Sequence, residues 1–179
     1  MKKALSSVLI MMTLKVVGQN HLLGIKGGVN QTNIDANNFV DKTGDRTGIT
    51  VGLTYDYLLN KHFSIGTDLL FNQRGFTVDI VFTDNRGNPT GEKYPINYRY
   101  AYTSLPVKAG FRFGNTIYGF ANIGAVPSLL ADAKVMAPTF SQDGKLTGNE
   151  IFDTTERVTE IDLAGLAEIG AGYKIKSKY

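Results

Sequence analysis

Gly48-Ile49-Thr50-Val51-Gly52-Leu53-Thr54-Tyr55-Asp56-Tyr57 alternates without a break. Its odd positions are Ile, Val, Leu, Tyr and Tyr, and its even positions are Gly, Thr, Gly, Thr and Asp. Successive side chains of an extended strand point to opposite faces, so this period of two makes a ribbon with one apolar face and one small, polar face. The same pattern recurs outward from it. Phe63, Ile65, Leu69 and Phe71 oppose Ser64, Gly66, Asp68 and Asn72, with Thr67 and Leu70 as mild exceptions, and Leu105, Val107, Ala109, Phe111 and Phe113 oppose Ser104, Pro106, Lys108, Gly110 and Arg112. Ile161, Leu163, Ala167, Ile169, Tyr173 and Ile175 oppose Asp162, Glu168, Gly170, Gly172 and Lys174, and Leu23, Ile25 and Val29 oppose Gly24, Lys26, Gly28 and Asn30. Thr116 to Val135 is less regular, because Tyr118 and Phe120 differ in parity from Ile123 and Leu129. Six strands are expected.

Alternation alone suits a soluble sandwich or a lipocalin-like barrel equally well, the apolar face then pointing inward. Two features turn that face toward lipid. Glycine crowds the polar face (Gly24, Gly28, Gly48, Gly52, Gly66, Gly110, Gly170, Gly172), where a narrow interior needs small residues and a solvated face would only be weakened by them. The connections also alternate in length: 59–62 and 114–116 are short, whereas 35–46, 83–93 and 136–157 are long. Short periplasmic turns and long outer loops have that rhythm. Segments 63–82 and 94–113 are each about twice the 9–11 residues that cross a bilayer, so their hairpin should project beyond it. Phe76, Val78, Ile80 and Phe82 run on the opposite parity from Phe71, which predicts a bulge at Gln73–Gly75. Tyr98, Tyr100 and Tyr102 are expected in an outer aromatic girdle, and Tyr55, Tyr57, Phe63, Phe111, Phe113, Tyr118 and Tyr173 in the inner one.

The N-terminus reads as a targeting segment. Lys2 and Lys3 precede an apolar run, Ala4 to Leu14, that is too short to span the hydrocarbon core as a helix. Val16 and Gly18 place cleavage before Gln19, giving a signal peptide over 1–18 and one domain over 19–179. No later stretch is apolar enough for a transmembrane helix, so any insertion must use strands.

Composition excludes several classes of function. The formal charge is +3, with nineteen basic residues scattered along the chain, which provides no nucleic-acid footprint. There is no cysteine, and two histidines offer little for a metal centre. His21 sits at the mature N-terminus and His62 in a short periplasmic turn, far from the outer loops and from one another, so no enzyme and no cofactor is expected. Asp162 and Glu168 lie about 20 Å apart along an extended strand and cannot share one bond. Asp143, Glu150 and Asp153 lack the spacing of a cation loop. Asn85–Pro89 and Gln142–Lys145 are turn chemistry. An inward polar face collects Lys26, Arg74, Lys108, Arg112 and Lys174 with Asp56, Asp68, Glu160, Asp162 and Glu168. Equal numbers of opposite charges in a narrow lumen predict a paired network, with Lys26, Asp68, Lys108, Arg112 and Glu168 at its centre, rather than an open pore. An ion or proton path is the competing reading.

LLGIKGGVNQTNI (22–34), FSIGTDLLFNQRG (63–75), YTSLPVKAGFRF (102–113) and DLAGLAEIGAGYKI (162–175) together resemble the outer-membrane β-barrel family abundant in Bacteroidota, the porin-family or PorT-like proteins. The resemblance implies an all-β, up-and-down antiparallel transmembrane barrel of eight strands, of which about six are found here. It implies no catalytic residues. The chain stops at Tyr179, where such proteins continue for two strands, so the expectation is a C-terminally truncated barrel or one closed by association. The expected function is a structural or binding barrel in the outer membrane, with its outer loops as interaction surface. A small-solute channel and an assembly factor for secretion are the alternatives. Outer-membrane lipid, the barrel assembly machinery and a protein or surface-glycan ligand of the loops are the partners such a protein would have.

Overall fold

A computed structural model describes residues 8–14, 20–33, 43–83, 89–141 and 145–173. These residues build one antiparallel sheet of nine strand segments: β1 (Val8–Leu14), β2 (His21–Thr32), β3 (Thr43–Leu58), β4 (Phe63–Thr83), β5 (Pro89–Ser104), β6 (Val107–Gly114), β7 (Ile117–Phe140), β8 (Leu146–Asp153) and β9 (Ile161–Tyr173). The helical segment among the described residues is a short 3₁₀ turn, Thr155–Arg157. Each stave hydrogen-bonds to its neighbour in sequence. β5 and β6 act as one stave interrupted at Pro106, since both pair with β4 on one side and β7 on the other. β8 and β9 likewise follow one another along β7.

The sheet curls so far that β2 and β9, which share no ladder, meet through side chains on its concave face. That face is polar. Thr54, Asp68 and Ser104 are fully buried there, while Leu53, Phe63, Val107, Leu129 and Ile169 are exposed on the convex face. A water-soluble sheet would reverse this distribution; lipid accounts for it, because only an apolar solvent leaves those side chains without penalty. Glycine supplies the interior space expected of it. A side chain at Gly66 would strike the Asp56 carboxylate and come within 3.1 Å of Lys108 Cε, and one at Gly110 would strike Asn122.

Several expectations require correction. β4 and β5 stay in register from Leu70↔Ser104 to Val81↔Lys93, with no bulge at Gln73–Gly75. The irregularity at that level is in β3, where Asp45 to Thr50 spans one residue more than Asn72 to Phe76. The parity change is therefore an exchange of environments. Above this level Phe76, Val78 and Ile80 keep the concave direction of Asn72, opposite Tyr98, Ile96 and Tyr94, and the convex face becomes mainly polar, with Thr77, Asp79, Asn97 and Lys93 beside Val81 and Pro95. Where the outside is water, the apolar side chains turn inward.

Segment 136–157 is not a plain loop. β7 continues to Phe140 and pairs with β8 up to Phe140↔Leu146, and Ser141 N donates to Lys145 O at 2.9 Å. Pro138 and the polar tip hid this hairpin in the sequence. β3 likewise begins at Thr43, inside the expected loop 35–46. β7 is regular once Tyr118, Phe120 and Val126 are recognised as inward residues; Asp132↔Ala101 and Leu130↔Tyr102 then bracket a bulge at Ala131. Residues 84–88 and 142–144, which hold two of the expected turns, lie outside the described residues. Val8–Leu14, the apolar part of the expected signal peptide, lies along β2 from Val8↔Val29 to Leu14↔Leu23.

Candidate functional site: a charged interior

Lys108 is the hub of the interior. Its Nζ donates to Asp68 Oδ1 at 2.6 Å and to Thr54 Oγ1 at 3.0 Å, and lies 3.3 Å from Asp56 Oδ1. Two strands, β3 and β4, supply these partners. Asp68 turns its second oxygen to Lys26 Nζ at 3.1 Å, and Lys26 reaches Glu168 Oε1 on β9 at 2.8 Å. Glu168 also accepts from Asn122 Nδ2 at 2.9 Å. Arg112 donates to Asp56 Oδ2 at 2.7 Å and sets its guanidinium 5.2 Å from the Tyr118 ring. All five residues chosen from the sequence, Lys26, Asp68, Lys108, Arg112 and Glu168, thus lie in one connected cluster.

Asp56 was missed as a central member, although it joins Arg112 to Lys108. Alternation placed it inward but could not tell which carboxylate lies level with which cation, since that depends on strand register. Of the other interior charges, Arg74 and Asp162 form a separate pair at 2.6 Å. Arg74 also lies 5.1 Å from the Tyr102 ring. Glu160 is exposed ahead of β9, contrary to expectation, and Lys174 lies outside the described residues.

A neutral ladder crosses the interior above the ions. Asn30 Nδ2 donates to Thr50 Oγ1 at 2.9 Å, Thr50 donates to Asn72 Oδ1 at 2.8 Å, and Asn72 Nδ2 donates to Ser104 Oγ at 2.8 Å. Ser104 and Ser128 share a further bond of 2.8 Å. Five adjacent staves are linked at one level by short side chains. Buried polar groups bonded in this way hold their strands together, although Asn30 Oδ1 and, in the ion cluster, Arg112 Nε are buried without a partner.

The aromatic positions divide. Phe63 and Phe111 meet edge-on at 5.3 Å, Phe111 and Phe113 stack at 6.5 Å, and His62 stacks on Phe111 at 5.8 Å. His21 Nδ1 is 2.8 Å from the Tyr55 hydroxyl, and its ring lies 5.1 Å from Tyr57. This group lies beside the short turns, where the inner girdle was expected. Tyr118 is corrected to the interior, and the Tyr173 side chain lies outside the described residues. Tyr98 stacks on Phe76 at 4.5 Å on the concave face, and Tyr100 and Tyr102 share that face, so these three do not form an outer girdle.

His62 Nδ1 lies 3.1 Å from the Arg112 carbonyl oxygen. Among the described residues there is no group of three metal-ligating side chains, and no helix long and apolar enough to cross a membrane. Residues 17–178 match the family described as outer membrane protein beta-barrel domain. The chain belongs to that family. Its apolar convex face is thus the surface of an outer-membrane barrel, and the ion cluster occupies the barrel's interior. No curated protein and no solved structure matches the chain.

Proposed function

We propose that this barrel is a structural or binding protein of the outer membrane with a largely closed lumen, and that its loops beyond β3, β4 and β7 form the interaction surface. The observation that carries the reading is the continuous chain Arg112–Asp56–Lys108–Asp68–Lys26–Glu168, whose lysines and aspartates are nearly inaccessible. A conducting pore requires hydrated charges lining a passage, whereas here the charges hold one another. An open-channel reading has no such observation in its favour. Steady conductance of the purified protein in planar bilayers would refute the closed lumen; the expected result is a silent membrane at protein levels where a porin gives ohmic steps.

Residues 1–18 serve in this reading as an export leader. The support is the basic start and short apolar run. Intact-mass measurement of protein recovered from the outer membrane should give a chain beginning at Gln19. A mass that retains Val8–Leu14 would make β1 a permanent stave.

A further inference from the structure

One row of residues crosses the sheet just above the apolar band. Gly75 pairs with Arg99, Arg99 with Lys134, and Lys134 with Asp153, while Arg46 lies beside Gly75 on β3. Gly75 and Arg99 are on the parity of Leu69, Phe71 and Leu105, so the row belongs to the convex, lipid-facing side. Gly75 is four residues beyond Phe71, or about 13 Å along a tilted strand at the usual rise. That is where hydrocarbon gives way to headgroups.

The row is poorly neutralised at its Arg46–Arg99 end. Arg99 and Lys134 are direct cross-strand partners of like charge, an unfavourable arrangement unless an anion intervenes. Asp132 lies 2.8 Å from Lys134 Nζ but 3.7 Å from Arg99 Nη2, and Asp153 faces Lys134 as well. Negative charge therefore gathers at the lysine. Arg46 has no carboxylate within ion-pair distance among the described residues; its guanidinium donates to the Arg74 carbonyl at 3.4 Å and is close enough to Arg99 for the two charges to repel. The approach depends on Gly75. A Cβ there would lie 2.9 Å from Arg46 Cδ, so the missing side chain leaves the Arg46 stem room against β4.

We infer that Arg46 and Arg99, flanked by Lys134, form a binding site for a phosphate group at the outer rim of the barrel. Two guanidinium groups near enough to repel one another beside a lipid-facing surface suit a phosphate dianion, which each can bind through two parallel N–H donors. The inference rests on the membrane placement of the convex face and is independent of whether the lumen conducts.

Native mass spectrometry of the full chain in detergent tests it, with a bisphosphorylated glycolipid, the same glycolipid dephosphorylated, and inorganic phosphate as probes. The phosphorylated glycolipid should stay bound and its dephosphorylated form should not. Arg46→Gln with Arg99→Gln should weaken retention by about tenfold or more, the scale of one charge-assisted hydrogen-bonded contact. Arg99→Lys should weaken it partly, and Lys61→Gln, in the exposed turn at the other end, not at all. Retention of inorganic phosphate alone, lost in the double variant, would support the site with a free anion as its ligand. Equal retention of both glycolipids, or retention unchanged in a double variant that still shows heat-modifiable migration, would overturn the proposal.

Discussion

Lys26 on β2 and Glu168 on β9 meet at 2.8 Å although no backbone ladder joins their strands. The edge of β2 away from β3 is laddered to β1, so Lys26 and Glu168 meet through side chains alone. Lys26→Met should leave Asp68 and Glu168 without their shared cation and destabilise the barrel by about 3–5 kcal/mol, the usual cost of breaking a buried pair from one side. Lys26→Met combined with Glu168→Leu should recover part of that loss, because the orphaned carboxylate at the seam is removed too. Urea unfolding in micelles measures both, and additive losses would deny the coupling.

Lys108 holds two carboxylates, Asp56 and Asp68, at less than 4 Å. Lys108→Met should therefore be more damaging than Arg74→Met, whose partner Asp162 is partly exposed and can be solvated. The comparison is read from the temperature at which the folded band disappears in unheated electrophoresis, and a reversed order would contradict the hub assignment.

The exchange of faces along β4 predicts a depth-dependent tolerance. Leu69 is exposed on the convex face within the apolar band, while Thr77 occupies the same face above it. Leu69→Arg should cost about 2–4 kcal/mol if it lies near the bilayer midplane, and Thr77→Arg about 0–1 kcal/mol. Equal costs in liposome-refolded protein would mean that the band does not end where the parity of the apolar residues changes.

Asp153 is fully exposed, yet the Thr155 backbone N–H and hydroxyl, donating at 2.9 and 2.7 Å, hold its carboxyl below the usual carboxylate range. Its folded-state value is depressed, so the order it lends the 3₁₀ turn is present above the unfolded carboxylate pKa and is lost as pH falls through the folded one. Thr155→Val should raise the Asp153 pKa toward the ordinary value, measured by side-chain NMR titration. No change would show that the hydroxyl contributes nothing.

Strand identity, inward and outward faces and the kind of solvent outside were legible because a period of two is local: Gly48 to Tyr57 declares both faces in ten residues. Glycine on the inner face marked a narrow interior for the same reason, each position stating its own size. Partnership was not local. That Asp56 bridges Arg112 and Lys108, that Lys26 closes on Glu168, and that the Arg46 stem lies against Gly75 all depend on register and curl between strands far apart in the chain. Alternation determines which way a side chain points; only the rolled sheet, with its extra residue in β3 and its unslipped β4–β5 ladder, decides which charges lie level and which face the membrane's edge.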